Sequence, residues 1–184
     1  MASAFSHAMV AVTVGQAFKS KELRGRELFL GAFCSVIPDL DVIGFSMGIQ
    51  YEDVWGHRGL THSFLFAGLL AVSLVALWYR RKSTAVMTGL FLYFFLCAAS
   101  HGMLDAMTNG GLGVAFFSPL DTTRYFFPVR PVLVSRIGIV DFFSAQGVGI
   151  LVSEATWIWL PSCVALVVFR GVQRFWPVES NPNT

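Results

Sequence analysis

The sequence predicts an all-α integral membrane protein, a polytopic bundle of about five transmembrane helices that forms one domain over residues 1–184. Composition is the first reason. Of the 184 residues, 55% are hydrophobic and only 13% are charged, whereas a soluble domain usually carries about 25% charged residues. The second reason is that the apolar residues are gathered into long runs, and the mean hydropathy is +0.64. A net charge of +2 is too small to indicate nucleic acid as the main partner.

Five apolar segments correspond to the predicted helices. In chain order they are 4–18, 27–37, 63–79, 85–104 and 151–169. The last three approach the roughly 20 residues that cross the hydrocarbon core as a helix, although Glu154 and Pro161 lie within the last one. The first two are too short for an independent span, and Pro38 is predicted to end the second. We expect these two helices to be tilted or packed against the others.

Basic residues predict the orientation of the bundle. They form three clusters, which are Lys19, Lys21, Arg24 and Arg26, then Arg80, Arg81 and Lys82, and finally Arg170 and Arg174. Because lysine and arginine are enriched in cytoplasmic loops, the N-terminus is predicted outside and the C-terminus in the cytoplasm. The other ends of the helices then face the periplasm or cell exterior.

Side chains that commonly bind metals fall at these outer ends. They are His7, Asp39, Asp41, His57, His62, His101 and Asp105. Imidazoles and carboxylates bind divalent cations, and placing them in apolar sequence is costly unless a cation compensates. The sequence therefore predicts one metal site at the outer boundary of the membrane.

Spacing within the motifs adds detail to this site. His101 and Asp105 are four residues apart on a predicted helix and share a face, which suits either two metal ligands or a hydrogen bond between the two side chains. Asp39 and Asp41 follow Pro38. In an extended backbone both carboxylates would point the same way. In a turn they would diverge, and Asp39, which is nearer the apolar segment, would face the site.

The motif from His57 to His62 contains a glycine and indicates a turn. Arg58 is its natural anion binder, able to hold a phosphate or a developing oxyanion. His57 is either a ligand or an interfacial side chain. Thr61 or Ser63 can cap the helix that follows.

A long outer segment, 106–149, separates the fourth and fifth helices and exceeds the length of a passive connection. It is rich in aromatic residues, which belong at membrane interfaces. Its arginines are Arg124, Arg130 and Arg136. Arginines on the outer side run against the basic-residue bias, so we expect them to have specific partners. These are either phosphate and lipid head groups or Asp121, Asp141 and backbone carbonyls.

Taken together and in order, four motifs resemble the LexA-regulated inner-membrane metal-dependent hydrolases of bacteria. The motifs are the early histidine, PDLD, HRGLTHS, and HGMLD followed by Pro-Leu-Asp at 119–121, and they cover nearly the whole chain. That family is distantly similar to zinc-dependent phospholipases C, which also use an HxxxD pair on a helix and an aspartate after proline. The resemblance implies a multi-zinc site whose ligands are His7, Asp39, His101, Asp105 and either His62 or His57. The later HxxxE pair of the phospholipases has no counterpart in this sequence.

The resulting hypothesis is a membrane-embedded hydrolase with one or two divalent metals, Zn²⁺ first, in the bacterial inner membrane. Its substrate is expected to be a phospholipid or related lipid phosphoester at the outer interface, so that membrane lipid is both substrate and environment. The predicted ligands are His7, Asp39, His62, His101 and Asp105. Catalytic roles are predicted for Arg58 as the anion stabiliser and for His57, Asp41 or Asp121 as ligand, orienting group or general base. The alternatives are a metal sensor or transporter, and a non-catalytic bundle stapled by metal.

Overall fold

The structure is a computed structural model that describes residues 1–18, 23–135 and 145–175. Lys19, Lys21, Arg136 and Asp141 lie outside the described residues. Within the described ranges the architecture is helical, and extended pairing is limited to two isolated bridges, Thr108 with Val132 and Val114 with Tyr125. The predicted all-α class is confirmed.

The helices follow the order of the predicted segments. They are α1 (Ala4–Ala17), α2 (Gly25–Cys34), a 3-10 turn (Ile37–Val42), α3 (Ile43–Ser46), a second 3-10 turn (Leu60–His62), α4 (Phe64–Trp78), α5 (Thr84–Ala106), α6 (Ala145–Glu154), a π turn (Ala155–Trp159) and α7 (Leu160–Phe175). Ser63 caps α4 by accepting a hydrogen bond from the backbone N–H of Phe66 at 3.1 Å. Of the two predicted capping residues, the structure therefore uses Ser63.

Three helical runs in the described part of the chain are long and apolar enough to cross a membrane: Gly25–Ser46, Thr84–Ala106 and Gly147–Phe175. In the first run the α-helix ends at Cys34, just before Pro38 as predicted, but helical turns continue beyond the proline. Pro38 sits in the first turn of the 3-10 segment that begins at Ile37, a position where the missing N–H costs nothing. The segment thus continues to Ser46.

The third run passes Pro161 without breaking. A proline inside a helix removes one backbone hydrogen bond and its ring clashes with the preceding turn. Here the π turn Ala155–Trp159 lies immediately before Leu160 and Pro161. The wider turn accommodates the proline, so that α6 and α7 form one continuous helical element.

Close packing of small residues brings α1, α2 and α5 together. Tyr93 of α5 is fully buried, and a Cβ added to Gly31 of α2 would come within 2.1 Å of its hydroxyl oxygen. A Cβ on Gly15 of α1 would meet the same hydroxyl at 3.3 Å. These two glycines allow the three helices to approach around one aromatic side chain. The approach also brings the ends of these helices together.

Candidate metal centre

The five predicted ligands come from four elements of the chain that the fold joins at one end of the bundle. His7 lies near the start of α1, Asp39 in the first 3-10 turn, and His62 in the turn before α4. His101 and Asp105 lie in the last turns of α5. Alternating helix directions bring all five to the same end, as the predicted topology requires.

Four of these residues form the central cluster: Asp39, His62, His101 and Asp105. Each offers one ligand atom, and these atoms all lie within 4.8 Å of one another. His62 Nε2 is 3.8 Å from Asp39 Oδ1 and 3.7 Å from Asp105 Oδ2. His101 Nε2 is 3.3 Å from Asp39 Oδ1. All four side chains are buried, so a charge placed among them would be shielded from water.

Hydrogen bonds fix the tautomers of the two imidazoles. His101 Nδ1 lies 2.7 Å from the carbonyl oxygen of Ser35, and because a carbonyl only accepts, this nitrogen carries the proton. Thr61 donates its single hydroxyl hydrogen to Asp41 Oδ2 at 2.7 Å. The same hydroxyl lies 3.0 Å from His62 Nδ1, so it must accept from that nitrogen. Both Nδ1 atoms are therefore donors.

The two Nε2 atoms face each other at 3.0 Å. In neutral rings both would present lone pairs, an arrangement that requires a proton or a cation beside them. Burial opposes protonation of His62, but the carboxylates of Asp105, Asp39 and Asp41 around it outweigh that effect and raise its pKa to about 10. The carboxylates thus make this position strongly attractive to positive charge.

Several buried polar atoms at this end of the bundle lack a hydrogen-bond partner. They are both ring nitrogens of His7, both carboxylate oxygens of Asp39, and Asp105 Oδ2. Leaving a buried donor or acceptor unsatisfied costs about 1–3 kcal/mol, and the Asp39 and Asp105 oxygens among these atoms belong to the central cluster, so their grouping needs a physical reason. A divalent cation meets that need, because it takes lone pairs from imidazole and carboxylate alike.

His7 lies beside the central cluster rather than within it. Its ring stacks on His101 with centroids 3.8 Å apart and planes inclined by 19°. His7 Nε2 is 3.7 Å from Asp105 Oδ1. The structure therefore brings the early histidine to the edge of the site, next to His101 and Asp105.

Asp41 diverges from Asp39 and orients ligands instead of joining them. Its Oδ1 accepts from His57 Nδ1 at 2.7 Å, and its Oδ2 accepts from Thr61 and from the backbone N–H of Arg58 at 3.2 Å. The same oxygen lies 3.2 Å from His62 Nδ1. The turn alternative of the prediction is confirmed. Although Asp41, His57 and His62 also lie close enough together for a metal, hydrogen bonds within the protein already use both Asp41 oxygens.

Arg58 is fully buried, and the protein itself engages its guanidinium. Nη1 donates to the carbonyl of Gly110 at 2.8 Å, and Nη2 donates to Thr108 Oγ1 at 3.0 Å. Nε lies 2.9 Å from Asp105 Oδ2, an ion pair in which the N–H is not aimed at the oxygen. Arg58 therefore links Asp105 to the segment that follows α5, and its predicted anion-binding role stays a prediction.

The described part of the outer segment folds back over the site, and Arg124 uses backbone carbonyls, which are among the predicted partners, whereas Arg130 contacts an aromatic ring that was not predicted. Arg124 donates to the backbone carbonyls of His57 at 2.9 Å and Tyr51 at 2.8 Å. Arg130 lies over the ring of Phe126 at 4.6 Å. Both arginines therefore have partners within the protein.

Asp121 is not brought to the centre. It is exposed, and its carboxylate accepts from the N–H of Thr123 at 2.8 Å and the hydroxyl of Tyr125 at 3.0 Å. These bonds, first those to Thr123, lower the pKa of Asp121. Thr123 and Tyr125 are close to Asp121 along the chain, so the Asp121 carboxylate is used in local hydrogen bonds. The prediction of a ligand or base at Asp121 is not supported by this position.

A cavity of about 290 Å³ lies next to the ligands' supporting residues. Its lining includes Tyr51, His57, Arg58, Gly111 and Val134. A Cβ on Gly111, whose φ is +84°, would come within 2.7 Å of both Arg58 Nη1 and the Tyr51 hydroxyl. A glycine is therefore needed at this wall of the cavity.

Two features of the site have no counterpart in the predicted set. The Ser35 carbonyl that orients His101 is a backbone group, which leaves no mark in the sequence. Glu154 is fully buried near this end of the bundle and bonds to Ser3 and Ser6. An acidic residue inside an apolar run was its only sequence signal.

Comparison with known proteins places the chain in a family. The family profile described as "YdjM inner membrane protein" matches residues 1–177. The chain belongs to the YdjM family. It is also 33% identical over 169 residues to "Inner membrane protein YbcI" of Escherichia coli (strain K12), an alignment that covers 90% of this chain and 95% of that protein. No solved structure matches the chain.

Both of these YdjM-family descriptions state a location. With three candidate spans in the described residues, they make the chain an inner membrane protein, as the sequence predicted. The family description and the relative's name state no activity.

Proposed function

We propose that this YdjM-family protein is a metal-dependent hydrolase that acts on a lipid phosphoester at the membrane interface. The observation that carries the metal centre is the pair of imidazole Nε2 atoms 3.0 Å apart, with both Nδ1 atoms already committed as donors. Unsatisfied oxygens of Asp39 and Asp105 converge on the same point.

The residues present fit one divalent cation. Two imidazole nitrogens and two carboxylates form a donor set that suits Zn²⁺ and similar first-row cations. Asp39, His62, His101 and Asp105 would hold it, and His7, stacked on His101, is a further donor beside them. When bound, such a cation supplies Lewis acidity, polarising a phosphoryl oxygen and lowering the pKa of a bound water towards about 7.

His57 is the proposed general base. Its Nδ1 is 2.7 Å from Asp41 Oδ1, and donation there leaves Nε2 of His57 free to accept a proton. The ring also lines the cavity of about 290 Å³. A carboxylate that orients an imidazole beside a cavity is the arrangement that proton transfer from a substrate or water requires.

Three arguments favour a lipid phosphoester as the substrate class. The chain lies in the inner membrane, and the cavity wall combines Met1, Tyr51, Gly111 and Val134 with the polar side chains of His57, Arg58 and Ser135, which suits an amphiphilic substrate. The motif resemblance to zinc-dependent phospholipases C points to the same bond type. Following the positive-inside rule, we propose that the site faces the periplasm and that the C-terminus is cytoplasmic. LexA control of expression stays an expectation from the same resemblance.

A metal-stapled structural bundle is the second candidate. His7, His101 and Asp105 are 0% exposed, and Arg58 is already held by protein acceptors. A closed, buried centre is typical of structural metal sites, whereas a catalytic site keeps one position open.

Two variants in the purified full-length protein separate these candidates. His101→Ala should lose bound metal, measured by elemental analysis, together with hydrolysis of phospholipid vesicles. His57→Ala should keep the metal and lose roughly 100-fold or more in turnover, the usual contribution of a general base. Wild-type protein without metal would refute the centre. Metal with no turnover in the wild type would favour the structural bundle.

A further inference from the structure

Glu154, the last residue of α6, is a fully buried carboxylate. It accepts hydrogen bonds from the backbone N–H of Ser3 at 2.6 Å, from the Ser3 hydroxyl, and from the Ser6 hydroxyl at 2.7 Å. Trp159 Nε1 donates to the same Ser6 hydroxyl at 2.8 Å. Burying a carboxylate is expensive unless it is well hydrogen-bonded, and here three donors from the start of the chain compensate it.

The residues that Glu154 holds lead directly to the metal centre. Ser3 is the N-cap of α1 and accepts from the N–H of Ser6. The preceding residue, Ala2, donates its backbone N–H to Asp105 Oδ1 at 2.9 Å. One turn into α1, His7 stacks on His101. Glu154 is thus connected to two residues of the central cluster through one short segment of chain.

Asp105 is held from two sides. Ala2 holds Oδ1, and Arg58 lies 2.9 Å from Oδ2, the oxygen that faces His62. The bond from Ala2 therefore restricts rotation of the carboxylate and fixes the direction in which Oδ2 faces. The position of Ala2 is set by the neighbouring Ser3. Both the backbone N–H and the hydroxyl of Ser3 donate hydrogen bonds to Glu154.

We propose that Glu154 is a positioning residue for the metal centre. By fixing Ala2 and Ser3 it orients Asp105 and His7, and it makes the α6–α7 element part of a site whose ligands all lie elsewhere. This inference rests on the metal centre of the proposed function. Ligand-supporting groups of this kind typically change metal affinity by about 10–100-fold when removed.

Cobalt binding to the purified full-length protein tests the inference without relying on activity. The visible absorption of bound Co²⁺ reports ligand number and geometry, and titration gives the affinity. Glu154→Ala should weaken Co²⁺ binding by roughly 10–100-fold and shift the absorption bands. Glu154→Gln should stay closer to wild type, because an amide oxygen still accepts from Ser3.

The matched control is Glu27→Ala, which removes a glutamate that hydrogen-bonds to a second helix at the opposite end of the bundle. Glu27 accepts from the hydroxyl of Tyr79 at 2.9 Å, so Glu27→Ala also deletes a carboxylate that joins two helices. It should leave Co²⁺ affinity and spectrum at wild-type values, even where thermal stability falls as much as in Glu154→Ala.

The outcomes are distinct. Wild-type affinity and spectrum in Glu154→Ala would overturn the positioning role and leave the metal centre standing. No Co²⁺ binding by the wild type would overturn the metal centre itself, and this inference with it. If Glu154→Ala does not fold, Ser6→Ala removes only one of the three donors, and it should still shift the cobalt bands. An unchanged spectrum in Ser6→Ala would then count against the inference.

Discussion

Replacing Arg58 by alanine should destabilise the protein strongly and also weaken metal binding. The side chain is fully buried, and its removal takes a partner away from three polar groups. Asp105 loses the cation that lies 2.9 Å from Oδ2. The Gly110 carbonyl and the Thr108 hydroxyl each lose a donor. The substitution therefore disturbs a proposed ligand and the segment that covers the site.

The size of the effect follows from these contacts. Removing one partner of a buried ion pair costs about 3–5 kcal/mol, because the other charge stays buried without compensation. For a chain of about this length, 1 kcal/mol corresponds to roughly 2–4 °C in unfolding temperature. Arg58→Ala should thus unfold roughly 6–20 °C below wild type, a range that combines both estimates.

Thermal unfolding in detergent, followed by circular dichroism, measures this shift. Arg130→Ala is the matched control, because Arg130 is exposed and stacks on Phe126, a contact that contributes about 0.5–1 kcal/mol. Arg58→Lys should recover part of the loss, since lysine keeps the charge but not the planar fork. An Arg58→Ala shift no larger than that of Arg130→Ala would refute this linking role of Arg58.

Two further predictions concern ligand orientation and topology. Asp41→Asn should leave the protein folded but weaken metal binding by roughly 10–100-fold, because Asp41 contacts and orients the Nδ1 of His62. A chelator competition assay measures this affinity. Wild-type affinity in the variant would refute the orienting role of Asp41. In a Cys163→Ser background, which removes the exposed native thiol, a membrane-impermeant thiol reagent added to intact cells should label Glu52→Cys but not Ser83→Cys. Both positions are exposed, so the reverse labelling pattern would invert the proposed orientation.

Much of the site could be predicted from the sequence, because membrane topology restricts where helix ends lie. His62 and Asp105 are far apart in the chain, but counting spans places both at one end, and their nitrogen and oxygen are 3.7 Å apart in the structure. The directions of the Asp39 and Asp41 carboxylates depended on whether the backbone after Pro38 is extended or turned. The backbone forms a 3-10 turn there, which places Asp39 near Nε2 of His62 and Asp41 near Nδ1.

The internal partners of Arg58 could not be predicted, for a physical reason. An arginine in a polar motif suits an external anion as well as an internal carbonyl, and only the path of the following segment distinguishes them. Arg58 adopts a left-handed backbone with φ of 64°, which no local sequence rule assigns to it. The segment after α5 then brings the carbonyl of Gly110 to its guanidinium.

The scatter of the ligands along the chain bears on how the protein is made. Asp39 enters the membrane early in synthesis, but the centre is incomplete until His101 and Asp105 at the end of α5 have been inserted. Glu154 joins still later, when α6 docks against the start of α1. Under the proposed function, metal acquisition would therefore be a late step of biogenesis, with the cation supplied from the compartment that these helix ends face. A chain truncated before α5 should have no metal centre to fill.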